Sequence, residues 1–241
     1  MTEHSTATLR FIDRELRRIE ISKDNVIVSY PLNALPDRLF QRLAGLTESS
    51  DYAGEGLEFI YRDTVSKPAM CTFTLDLPFS LNFALKVVRL TLSDNEIEDR
   101  IDDLEGEVLS LQGQPFQETV ADRLELYKQL YLDESKIDQF RLGAVEMFGA
   151  TTYTNILRDP RVCLGFNWYD DTTNQHYGLQ LNCIAEVVTP ENPFFRFMRL
   201  LRQLFSSRFL DLQSPDYVCG YKLWVSEVFE KNLESTRGFL P

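Results

Sequence analysis

Two histidines, four cysteines and a surplus of carboxylates are the groups through which this sequence could do chemistry. A structural zinc site needs four Cys or His ligands in clustered spacing, and Cys71, Cys163, Cys183 and Cys219 are scattered, with no C-x-x-C pair. A Cys–His nucleophile would have to join His176 to a distant cysteine, with no local signature around either; His4 sits at the terminus. There is no G-x-S-x-G elbow, no Walker loop and no G-x-G-x-x-G. Gly54 and Gly56 flank Glu55 without a third glycine or a βαβ setting. These residue types therefore nominate no catalytic residue and no metal ligand. Each cysteine has apolar neighbours, such as Met70 and Phe73 around Cys71, and reads as a buried free thiol in a reducing compartment.

Charge is more informative. Between Asp94 and Glu107 eight carboxylates stand against one cation, Arg100, and their spacing is not that of a calcium-binding loop. They surround a helical seam, Ile97, Ile101, Leu104, Val108 and Leu111. The opposite case is the stretch 194–212. There Phe194, Phe197, Met198, Leu201, Leu204 and Phe205 share one face, and Arg196, Arg199 and Arg202 the other. Acidic Asp99, Asp102 and Asp103 and the three arginines are the expected partner-binding residues, either for each other or for something outside the molecule.

The elements that would carry these groups alternate in type. Leu9, Ile12, Leu16 and Ile19 predict an amphipathic helix over 8–19, and Val26, Ile27 and Val28 a strand. Asn33 reads as the cap of a helix with Pro36 in its first turn and Leu35, Leu39 and Leu43 on one face, stopping near Gly45. Strands are expected over 57–61, 71–77 and 85–92, the last two pairing antiparallel around Pro78 and Asn82. Strict alternation in 71–77 points Phe73, Leu75 and Leu77 inward. Residues 94–132 read as a helical hairpin broken at Gly113 and Pro115; 140–148 leaves helix and strand both open. A β-hairpin of 161–169 with 176–188, the helix at 194–212 and a closing strand over 217–229 complete the chain.

The expected fold class is thus α+β, mixed antiparallel sheets with a central helical hairpin. The parts are an N-terminal α+β part (1–93), the acidic hairpin (94–135) and a C-terminal α+β part (136–241). Separate cores are expected for the two ends: Phe73, Leu75, Leu77, Val87, Leu90 and Leu92 in one, and Phe166, Leu179, Leu181, Val187 and Trp224 in the other. A net charge of −12 argues against a general nucleic-acid binder, which needs surplus Lys and Arg. No apolar run spans a bilayer and no leader is read at the start, so the expected location is the cytoplasm.

One segment is similar to a known family. Thr151-Thr152-Tyr153-Thr154-Asn155-Ile156-Leu157-Arg158-Asp159-Pro160-Arg161-Val162-Cys163-Leu164 resembles the flavin-binding split-barrel proteins of the pyridoxamine-phosphate-oxidase-like group. In that family a polar turn leads into a short helix ending Asn-Leu/Ile-x-x-Asp-Pro-Arg-Val and then a strand. The run 176–188, ending Ala185-Glu186-Val187-Val188, is similar to its next strand. The resemblance implies that Thr151, Thr152 and Asn155 bind the phosphate of FMN. The turn here carries Thr152-Tyr153-Thr154 where that family has a basic residue. The residues taken alone point instead to a non-enzymatic interaction or assembly factor without a cofactor. It would have a protein partner, and peripheral membrane contact and self-association stay open. A flavin- or nucleotide-binding split barrel with oxidoreductase chemistry is the alternative.

Overall fold

The computed structural model describes residues 7–45, 64–74, 78–112, 114–170, 173–204 and 217–231. Strands β1 (Ala7–Asp13), β2 (Arg18–Lys23) and β3 (Val26–Pro31) form an antiparallel sheet in that order. The helix expected over 8–19 is therefore a β-hairpin. Its helix-like spacing comes from a bulge between Leu9 and Phe11 and from the reversal of the chain, which sets Leu9 opposite Ile21 and Ile12 opposite Ile19. Asp24 and Asn25, at φ 52° and 62°, turn β2 into β3 through the left-handed region that a tight two-residue hairpin turn demands.

Helix α1 (Asp37–Ala44) buries Leu39 and Leu43 and ends at Gly45, as its pattern predicts. Asn33 does not cap it. The Asn33 amide donates to the Ser226 carbonyl instead, and Pro36 enters the first turn with no side-chain cap. The strand expected over 57–61 lies outside the described residues.

The second sheet has seven strands: β4 (Ala69–Phe73), β5 (Leu81–Leu85), β6 (Val88–Leu92), β7 (Ile137–Glu146), β8 (Arg161–Asp170), β9 (Gln175–Val188) and β10 (Cys219–Glu230). Their order is β5-β4-β8-β9-β10-β7-β6, and every described pairing is antiparallel. The run 85–92 is thus two strands: the chain leaves β5 at Lys86 and Val87, and β6 pairs with β7 at the opposite edge. The undecided stretch at 140–148 is mostly β7. Strands from both ends of the chain interleave, so Leu90 and Leu92 share a core with Phe166, Leu179 and Leu181. The second, smaller cluster is divided off by sheet face rather than by chain position. In it Trp224 and Ile184 pack on Ile19 and Ile21 of the three-stranded sheet, which explains why β10 is buried on both faces.

In β4 the register is the reverse of the expected one. Met70 and Thr72 are buried, whereas Phe73 is 51% exposed. Thr72 is tolerated inside because its Oγ1 accepts hydrogen bonds from Asn155 Nδ2 (3.0 Å) and Asn82 Nδ2 (3.4 Å), while Phe73 lies under the Arg161 guanidinium at 5.6 Å. Leu75 and Leu77 lie outside the described residues.

Between the sheet strands, α2 (Asp94–Gln112) and α3 (Phe116–Tyr131) form the expected helical hairpin. Ser93 Oγ accepts from the Glu96 amide at 3.3 Å, capping α2. The seam Ile97, Ile101, Leu104 and Val108 is fully buried. Helix α4 (Thr151–Arg158) links β7 to β8, and α5 (Pro193–Leu204) lies between α2 and the sheet. Among the described residues no helix is long and apolar enough to cross a membrane.

Candidate functional site

A cavity of about 450 Å³ opens where β5 gives way to β6, beside the end of β7 and the N-terminus of α4. Its volume falls in the range of small-molecule and cofactor sites, roughly 300–1,000 Å³. The apolar part of the wall is Met147, Phe148, Met198 and Leu201. The polar part is strongly basic: Lys67, Lys86, Arg89 and Arg202 stand against one carboxylate, Glu146.

That carboxylate is already engaged. Glu146 Oε2 receives Lys86 Nζ at 2.5 Å and the Tyr221 hydroxyl at 2.9 Å, and Oε1 accepts the backbone amides of Phe148 (3.1 Å) and Gly149 (3.3 Å). Burial would push its carboxyl up, but the Lys86 hydrogen bond and charge, with the other donors, hold it below the ordinary carboxylate range. Glu146 thus pins Lys86 and the turn after β7. Gly149, at φ 61°, makes that turn possible.

The turn delivers α4. Its cap position is Ala150, which offers no side-chain acceptor, so the amides of its first turn are not capped by a side chain. Ala150, Thr151 and Thr152 line the cavity at this end of the helix. Asn82 Nδ2 donates to Thr152 Oγ1 at 3.2 Å as well as to Thr72, tying α4 to β4 and β5. Asn155 is buried and is not part of the cavity wall; it joins the same cluster through Thr72.

Helix α5 closes the remaining side. Met198, Leu201 and Arg202 fall at helical spacing and reach the cavity together. The helix can lie this close to β7 because residue 143 is glycine: a Cβ there would stand 2.4 Å from Met198 Sδ and 2.6 Å from Thr91 Cγ2. Arg202 Nε is buried without a hydrogen-bond partner, an orphaned donor at the wall.

The other residues singled out by charge go elsewhere. Arg196 binds Asp102 (2.6 Å) and Glu105 (2.8 Å), and Arg199 reaches Glu105 at 3.2 Å, so the basic helix and the acidic hairpin close on each other. Asp99 and Asp103 remain on the exposed face of α2. His176 lies in the β8–β9 hairpin, edge-on to the Tyr169 ring at 5.2 Å. Lys67, Lys86, Arg89 and Glu146 are charged cavity residues that sequence reasoning missed. The available signal was two cations inside an apolar run at 85–92, which marks either a break in the strand or a polar site against it.

No family model matches the sequence, and no curated protein does. Similar solved structures exist at low identity. HupZ of Group A Streptococcus is 12% identical, with 81% of this chain and 94% of that chain covered and a TM-score of 0.39. A pyridoxamine 5'-phosphate oxidase-like protein of Lactobacillus delbrueckii is also 12% identical, covering 81% and 93% at a TM-score of 0.35. An FMN-binding protein of Syntrophomonas wolfei is 9% identical, covering 81% and 88% at a TM-score of 0.40. The expectation of a non-enzymatic interaction or assembly factor is corrected here: Arg196 and Arg199, on which it rested, are taken up by Asp102 and Glu105 of the same molecule, and Arg202 lines the cavity.

Proposed function

We propose that the chain binds flavin mononucleotide in this cavity and works as a split-barrel flavoprotein of the oxidoreductase class. The observation that carries the reading is that one cavity is lined both by the start of α4, which lacks a side-chain cap, and by Arg202, whose Nε has no hydrogen-bond partner. Backbone amides at a helix start favour an anion, and a guanidinium adds a charge-assisted donor. Thr151 and Thr152 supply hydroxyls there, as the family resemblance implies. The cations come from β6, from the turn before it and from α5 rather than from the polar turn itself. This accounts for the missing basic residue at 152–154.

The residues present fit the group. Met147, Phe148, Met198 and Leu201 offer an apolar wall for a planar ring, and Glu146 holds Lys86 in place at the polar side. Asn82, itself in the wall, holds Thr152 and Thr72, and Asn155 acts one step back through Thr72. A bound flavin would supply electron transfer at its ring. The chain's own work is to grip the phosphate, exclude water from the ring and fix which ring edge stays open. Incubation of the purified protein with FMN followed by desalting tests this. The wild type should keep the yellow cofactor, and Arg202→Gln should bind it about 10- to 100-fold more weakly, the loss of one charge-assisted hydrogen bond. A wild-type protein that keeps no flavin after exposure to excess FMN contradicts the proposal.

A further inference from the structure

Cys71 on β4 and Cys163 on β8 stand directly opposite each other in an antiparallel pair. Directly opposed residues in such a pair send their side chains to the same face, with Cα atoms about 4.5–5.5 Å apart. A disulfide needs Cα atoms about 4.4–6.8 Å apart, so the backbone already meets its requirement. Both thiols are free and half-buried, on the outer face of the sheet with Phe73 and Arg161. The other two cysteines make the contrast. Cys183 is buried opposite Val162 and Val225, and Cys219 is buried opposite Glu146, so neither has a thiol across from it.

We propose that Cys71 and Cys163 are a reversible cross-strand redox pair that closes to an intramolecular disulfide with low-molecular-weight disulfides such as oxidised glutathione. One cysteine gives its proton to solvent and attacks a glutathione sulfur, forming a mixed disulfide and releasing one glutathione thiolate, which takes up a proton. The second cysteine, deprotonated in turn, attacks the protein-side sulfur of that mixed disulfide and expels the second glutathione. Two protein thiols are oxidised to one disulfide, and one glutathione disulfide is reduced to two thiols. Cβ atoms of opposed strand residues lie about 4.5–5.5 Å apart, slightly beyond the ~3.8 Å of a relaxed disulfide, so the bond is strained and readily reduced. Burial raises both thiols above their ordinary value, and on Cys163 the neighbouring Cys71 adds to it, so closure is slow at neutral pH and faster in mild base.

The bond would sit where it matters to the fold. The β4–β5 edge hairpin joins the sheet through the pairs from Ala69–Gly165 to Thr72–Val162, and the bond would lock one of them. Thr72, the next residue, faces the other way into the Asn82–Asn155 cluster behind the cavity. The inference is independent of the flavin reading.

The test is thiol counting and peptide mapping of the wild-type protein after incubation with oxidised glutathione. Thiols titrated under denaturing conditions should fall from four to two, and the map should show Cys71 joined to Cys163 within one chain, reversed by dithiothreitol. Cys71→Ser should instead hold a glutathione adduct on Cys163. Retention of all four thiols, adducts on both cysteines without closure, or a bond between two chains would each overturn the proposal.

Discussion

Arg196 clamps Glu105 through two hydrogen bonds, Nη2 to Oε2 at 2.8 Å and Nε to Oε1 at 3.2 Å, joining α5 to α2. The hydrogen bonds and charge of Arg196, with Arg199, hold the Glu105 carboxyl below its ordinary range. A depressed carboxylate contributes its stability above the unfolded-state pKa, about 4.3, and loses it as pH falls through the folded value. Glu105→Gln should therefore cost roughly 0.5–1 kcal/mol at neutral pH, as for a partly exposed pair. Urea melts should show that cost shrinking and then vanishing as pH falls below the ordinary carboxylate range. A pH-independent loss would contradict the clamp.

Arg141 is the buried counterpart. Its guanidinium is wholly buried and meets Asp138 at 3.1 Å and Asp94 at 2.9 Å, and it also donates to Thr91 and to the Leu92 carbonyl. Arg141→Met leaves the wholly buried Asp138 with the half-exposed Arg14 as its remaining cationic partner and should cost about 3 kcal/mol, the low end for a broken buried pair. Adding Asp138→Asn should cost less than the sum of the two single changes, because the pair lost is then the same one. Additive losses in the double-mutant cycle would show that the two side chains do not act as a pair.

The register of β4 can be read from two neighbours. Thr72→Val removes the acceptor for Asn82 and Asn155 and should cost about 1–2 kcal/mol. Phe73→Ala should cost at most about 1 kcal/mol, since it loses a half-exposed ring and one cation–π contact. A loss of about 3–5 kcal/mol at Phe73, the cost of a core aromatic, would restore the register that alternation predicts.

That strand shows where the sequence could be read and where it could not. The β8–β9 hairpin and the α2 seam were legible because one face of each is uniformly apolar, and period alone then sets the element. In β4 strict alternation favours the Cys71–Phe73 face, yet Met70 and Thr72 are the buried pair, because Thr72 is satisfied by Asn82 and Asn155, of which Asn155 is remote in sequence. The segment 8–19 misled for a related reason: a bulge and a hairpin together imitate helical spacing. At the cavity, Thr151 and Thr152 were legible through a local resemblance. Arg202 was singled out for its charge but assigned to a partner surface, and Lys86 and Arg89 were not singled out, because only the tertiary fold brings the β5–β6 turn, β6 and α5 to one cavity.

The central claim is that the cavity grips a phosphate carried by a flavin. The most direct measurement compares the dissociation constants of FMN and riboflavin for the same protein by fluorescence quenching. The ring is common to both, so the ratio isolates the α4 N-terminus and Arg202. Charge-assisted contacts to the phosphate predict riboflavin binding at least about 10-fold more weakly, with Arg202→Gln shrinking the gap. Equal affinity for the two, or no binding of either, would contradict the account.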